Sequence, residues 1–363
     1  MKNLFHRRVI VVVGVIFASL LLFLHIGPSM VKAGDLPEII NIASRGAGSS
    51  GHLIDNAISH IVGPYLGTRI VVLPFKKDRA KLESLKNGES FMATVSLASA
   101  YPAMRGLEEY SDPGWKPPLQ LEVIQHCISV PTVFAVRGDS SDIKSPYDLK
   151  GKRVGIVPSW PASRIFTLAH LAFGNLSEDQ VQMVPIANYP KSIQAVPDGK
   201  VDAVVLALGS PKTFEVASIG AGLNFLPMPK EDKDGWKRFY KKLPYYTYGL
   251  WKWKPCKREE GCEAAFGSYF HAVLPDQSED LVYKVVKALF ETYPQYKEVK
   301  PPETYFFSLE NTLEISKWET TMTAYHPGFI KYAKERGLWT SAHEEYQRKA
   351  KEAEKKRLSK NDS

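Results

Sequence analysis

Cysteine is scarce in this 363-residue chain: there are three, too few for a disulfide scaffold. Long apolar runs are scarce too. Val9 to Leu24 is one, and no later segment approaches the ~20 residues that a spanning helix needs. Charge of one sign is also missing. The formal net charge is +8, from 47 Lys and Arg against 39 Asp and Glu. Four of the positives (Lys2, Arg7, Arg8 and Lys32) fall in the first 33 residues, which hold no acid, so the remainder is only mildly basic. That excess argues against a nucleic-acid protein and suits a small acidic ligand. Catalytic signatures are absent as well. There is no G-x-S-x-G, no P-loop lysine and no Asp-rich calcium loop, and His343-Glu-Glu lacks the second His of a zinc helix. Nothing pairs a nucleophile with a base, so the reading is a binding protein without cofactor or metal, not an enzyme.

What is present begins with a positively charged start, an apolar stretch and Val31-Lys32-Ala33 before Gly34. This is the layout of a secretory signal peptide over residues 1–33, with an uncleaved anchor as the alternative. An exported, periplasmic chain follows from it. Cys256 and Cys262 then lie in an oxidising compartment and are expected to close a small disulfide loop, a metal site being the other reading. Cys127 sits in an apolar stretch and reads as a buried thiol.

From residue 38 onward, short apolar strands alternate with helix-period segments. Strands are predicted at 38–43, 69–73 and 91–97, then at 153–157, 181–185 and 202–206. The alternation predicts an α/β fold with a largely parallel sheet, in two units joined by extended crossings near 133–137 and 245–251. Lobe I is then 34–137 plus 246–363, lobe II is 138–245, and the ligand cleft lies between them. The tail 343–363 is rich in Glu, Lys and Arg and reads as a solvated helix that frays. His326, in Tyr325-His-Pro-Gly328, is expected to cap the helix that follows.

Two strand-to-helix loops carry the candidate site. Gly46-Ala-Gly-Ser-Ser-Gly51 has the G-x-G-x-x-G spacing, but the next strand ends in Lys76-Lys77 where a dinucleotide site wants an acid. What remains is a helix start whose free N–H groups and dipole favour an anion. This singles out Arg45, Gly46, Ser49, Ser50 and Lys76. In the second unit Ser159, Trp160, Ser163 and Arg164 occupy the corresponding loop, the alternative being that Ser163 caps the helix and Arg164 faces solvent. Tyr101, Tyr248 and Trp251 join Trp160 as candidate walls for the ligand body. One of Arg45 and Arg164 is expected to meet a ligand carboxylate.

These residues resemble the TAXI class of solute receptors from tripartite ATP-independent periplasmic (TRAP) transporters. The resemblance rests on Ala43-Ser-Arg-Gly-Ala-Gly-Ser-Ser-Gly51, Leu85-Lys-Asn-Gly-Glu-Ser-Phe-Met-Ala93 and Asp198-Gly-Lys-Val-Asp-Ala203. It rests also on Leu208-Gly-Ser-Pro211 and on Tyr325-His-Pro-Gly328 followed by Tyr332 and Gly337-Leu-Trp339. It implies a type II periplasmic binding protein, two α/β lobes that close on a small organic anion (an amino acid or a mono- or dicarboxylate) and pass it to the membrane permease subunits of a TRAP transporter. An extracytoplasmic sensor with the same fold, or an exported enzyme on that scaffold, are the alternatives. The segments 75–81 and 159–164 depart from the class where ligand contacts fall.

Overall fold

The computed structural model describes residues 36–47, 50–158, 161–297, 307–319 and 321–359. The signal-peptide expectation for 1–33 lies outside them, as do Ser49, Ser159 and Trp160. Among the described residues no helix is long and apolar enough to cross a membrane.

Strands β1 (Ile39–Arg45), β2 (Arg69–Phe75) and β3 (Met92–Ser96) run parallel, with β1 in the centre. Every residue of β3 is buried, as a strand covered on both faces must be. Helix α1 (Ser50–Leu66) links β1 to β2, and α2 (Asp78–Lys86) links β2 to β3. Helix α3 (Leu97–Ala103) follows directly, capped by Ser96, whose hydroxyl accepts from the Ser99 N–H at 3.1 Å.

The second α/β unit repeats the plan. Strands β5 (Arg153–Ile156), β6 (Gln182–Pro185) and β7 (Ala203–Ala207) are parallel. Helices α4 (Pro161–Phe173) and α5 (Tyr189–Ala195) connect them, α6 (Pro211–Ala217) leaves β7, and the longer helices α7 (Lys233–Tyr240) and α8 (Glu279–Glu291) follow later in the chain.

What joins the two units corrects the expectation of a largely parallel sheet. Two long antiparallel strands, β4 (Glu122–Arg137) and β10 (Cys262–Val273), pair with each other through the middle of a mixed sheet. Its order is β2-β1-β3-β10-β4-β7-β5-β6, with β8 (Leu223–Phe225) beside β4 and β9 (Thr247–Trp251) beside β10. One end of β10, Tyr269 to Ala272, pairs with β3, while its other end, Cys262 to Phe266, pairs with β9. Likewise β4 meets β7 and β8 only from Thr132 onward.

The buried side chains divide the same way. One apolar cluster draws on residues 40–124 and 270–350; two others draw on residues 133–265. Tyr245 packs against the first and the second.

The tail is a second correction. Its helix, α10 (Ser341–Ser359), is docked rather than fraying: Tyr346 and Ala350 are buried. The Tyr346 hydroxyl donates to the Thr323 carbonyl at 2.8 Å, and the Gln347 amide bonds both the N–H (2.9 Å) and the C=O (2.8 Å) of Tyr325. Helix α9 (Pro327–Glu335) starts as predicted, His326 Nδ1 accepting from the Gly328 N–H at 3.1 Å. Cys256 and Cys262 are joined in a disulfide, with Cα atoms 5.3 Å apart.

Candidate ligand-binding site

In an open α/β sheet, ligands bind beyond the carboxyl ends of the parallel strands. In the first unit those ends are Arg45, Phe75 and Ser96. Arg45 lays its guanidinium over the Tyr269 ring of β10, 4.6 Å from the centroid, and has no hydrogen-bond or ion-pair partner among the described residues. The stem is held from behind by the first turn of α1, where a Cβ on Gly51 would lie 3.1 Å from Arg45 Cδ. A side chain at that turn would push the Arg45 stem by a few tenths of an ångström.

The strand end is fixed by a buried polar network. Asp55, fully buried on α1, accepts from Ser44 and, at 2.7 Å, from Thr94. Its other oxygen meets His271 Nε2 at 2.9 Å, and His271 Nδ1 meets Gln125 Oε1 at 3.0 Å. One carboxylate thus ties β1, β3, β4 and β10 to α1, directly behind Arg45. Buried and satisfied, such networks hold one geometry.

Beside Arg45 stands Asp78, the first residue of α2. Its carboxylate takes Lys81 Nζ at 2.7 Å and the Ser99 hydroxyl at 2.5 Å. Burial pushes the carboxyl up, but the Lys81 charge and these hydrogen bonds outweigh it, with a smaller contribution from Arg45, and hold it at about 2. Asp78 is 44% exposed while Lys81 is fully buried beneath it. The pair is self-neutralised, which leaves Arg45 as the uncompensated charge of the group.

Around it is a tyrosine wall. Tyr101 and Tyr245 have ring centroids 5.4 Å apart, and Arg105 covers Tyr101 at 4.0 Å. Tyr246 follows, 5.6 Å from Phe166 of α4. Of these, sequence reading found Arg45 and Tyr101 and missed Asp78, Tyr245, Tyr246 and Tyr269. The dense run Tyr245-Tyr-Thr-Tyr248 was the available signal.

The remaining candidates fall as follows. Gly46 passes close to β2, its ideal Cβ 3.6 Å from the Phe75 carbonyl, and Lys76 is exposed at the end of that strand. Ser50 opens α1. Tyr248 lies on β9, edge-on to Trp236 at 5.7 Å. Trp251 ends the same strand and packs with Phe266 at 6.1 Å. Ser163 is buried and braces its own loop, accepting from the Val157 N–H at 3.1 Å. Arg164 pairs with Glu178 and is 53% exposed. Arg164 is thus engaged by a carboxylate of this chain, whereas Arg45 has no such partner among the described residues.

Comparison with known proteins bears on family and fold. The sequence matches the NMT1-like family over residues 78–337. No curated protein matches it by sequence. Among solved structures it is similar to a TctC solute-binding protein from Polaromonas without ligand, at 14% identity and TM-score 0.50, over 87% of this chain and 98% of that one. A chloride-bound protein of Xanthomonas citri reaches 12% and 0.49, over 82% and 100%. The periplasmic aliphatic sulphonate-binding protein of Escherichia coli reaches 16% and 0.43, over 89% and 94%. The fold is that of the type II periplasmic binding proteins.

Proposed function

We propose that this chain, which belongs to the NMT1-like family, is an extracytoplasmic solute-binding protein whose cleft holds a small organic anion against Arg45. The observation that carries this reading is the guanidinium itself. It stands at the carboxyl end of the central parallel strand, supported on the Tyr269 ring and unpaired among the described residues. A guanidinium offers a planar fork that matches a carboxylate, and the low-dielectric tyrosine wall strengthens the pairing.

The division of buried clusters supports two lobes, with β4 and β10 as the strands that cross between them. In this division residues 246–265 go with lobe II rather than lobe I, because their buried side chains pack there. Bending of the two crossing strands then opens and closes the cleft. The permease subunits of a TRAP-type transporter are the proposed recipients of the ligand. This follows the resemblance of the chain's ending, where His326 caps α9 and Trp339 packs on Tyr325 at 5.6 Å.

The test is a thermal-shift screen with acetate, succinate, L-glutamate, benzoate, a hexose and a nucleotide. A ligand at about 100 times its Kd stabilises the fold by about 2.7 kcal/mol. A carboxylate response that Arg45→Ala abolishes and Arg164→Ala keeps is expected. A carboxylate response untouched by Arg45→Ala would refute the assignment. Conversion of the bound compound on incubation would favour an enzyme.

A further inference from the structure

Tyr246 is the one member of the tyrosine wall that is almost completely buried, at 6% exposure, and its hydroxyl has no hydrogen-bond partner among the described residues. The ring is packed away, but the hydroxyl is not among the partnerless atoms sealed from solvent, so it stays accessible to a ligand. The position of the ring is enforced. It lies across the backbone of β10, where a Cβ on Gly267 would come within 2.4 Å of Tyr246 Cζ. It packs also on Phe166 and, at 6.2 Å, on Phe239. The phenol lies within reach of the Arg45 charge, with Tyr269 and Tyr245 as neighbours. Burial first, then the two tyrosines, raise its pKa well above 10 against the pull of Arg45, so the group stays a neutral O–H donor.

We infer that Tyr246 reads the ligand's charged group together with Arg45, its O–H donating to the anion that the guanidinium neutralises. The inference rests on the anion-binding reading above and deepens it: Arg45 supplies charge from the first lobe, and Tyr246 supplies a directed donor from the crossing between lobes. A ligand held by both contacts the first lobe and the hinge at once. Its oxyanion is then selected over a neutral amide or alcohol of the same shape, because both partners are donors.

Acetate, succinate, L-glutamate and benzoate are titrated into the wild type, Tyr246→Phe and Gly267→Ala by calorimetry. Tyr246→Phe keeps the ring and its packing, so the unliganded melting temperature should stay within a degree or two. Its Kd for whichever of the four binds should rise about ten- to a hundredfold, the worth of one hydrogen bond to a charged acceptor. Gly267→Ala displaces the ring and should weaken the same probe by a similar factor. Binding by Tyr246→Phe within twofold of wild type overturns this inference and leaves the anion site standing. A wild type that takes none of the four probes overturns both.

Discussion

The Asp78–Lys81 pair makes a prediction in which the two partners are not equivalent. Lys81 Nζ is fully buried and Asp78 is 44% exposed, 2.7 Å away. Asp78→Asn leaves an ammonium in the interior with no counter-charge. Breaking a buried pair from one side costs about 3–5 kcal/mol, and the amide oxygen recovers part of it, so about 3 kcal/mol is expected. Lys81→Met leaves a carboxylate that water already reaches and replaces a buried charge by an apolar chain of similar volume. Its cost should be about 1 kcal/mol or less. At a urea slope of about 3 kcal/mol/M, the first substitution lowers the midpoint by about 1 M and the second barely moves it. The pH dependence follows from the Asp78 carboxyl being held at about 2 against an ordinary 3.8. A depressed carboxylate contributes stability above the unfolded value and loses it as pH falls through the folded one. The gap between wild type and Asp78→Asn should therefore narrow between about pH 4 and pH 2, by about 1 kcal/mol once solvent screening is allowed for. Equal costs for the two substitutions, or a gap that does not narrow, would refute this account.

Glu122 is buried at 1% exposure, and desolvation raises its pKa to about 7 against the opposing Lys351. A raised acid contributes stability below its unfolded value and loses it as pH rises through the folded one, so the wild type should weaken from pH 5 to pH 8. Glu122→Gln should flatten that slope in pH-dependent denaturation. Removing the disulfide with Cys256→Ser and Cys262→Ser should cost about 2 kcal/mol by loop closure, and reductant should lower the wild-type midpoint equally. Tyr346→Ala should cost about 3–5 kcal/mol, since it empties a buried aromatic site and removes a 2.8 Å hydrogen bond. A change under about 0.5 kcal/mol would mean that α10 is not docked.

The strands were legible because their apolar residues recur with short periods between turn residues, and each predicted parallel strand in both units falls within two residues of its observed position. The antiparallel crossing was not. A run such as Val123 to Val136 shows that a strand is buried, but periodicity does not give its direction or its neighbour. The tail misled for a related reason. Among Glu, Lys and Arg, the docking of α10 depends on Tyr346 and Ala350, one turn apart, while the side chains of Arg348, Lys349 and Glu352 stay more than half exposed. A charged majority described the outer face and hid a narrow apolar stripe.

The candidate site divides along the same line. Arg45 was recognisable because a cation at a strand end before a glycine-rich helix start has a local meaning. Tyr246 and Tyr269 had none, since each reads as an ordinary aromatic near or within a β-strand, and their convergence depends on pairings more than twenty residues apart. Tyr269 faces the site only because β10 runs antiparallel to β3 and sets it opposite Ser96. Tyr246 enters only because β10 carries a glycine where the ring crosses it. Glycine inside a strand weakens pairing and packs nothing, so a strand that keeps one is usually accommodating a close approach. Gly267, with Phe266 before it and Ser268 after it, is such a position. It is the mark that sequence reading could have used: the question is which bulky group needs the missing Cβ, and the tyrosine run at 245–248 is the bulky segment that the chain lays beside that strand.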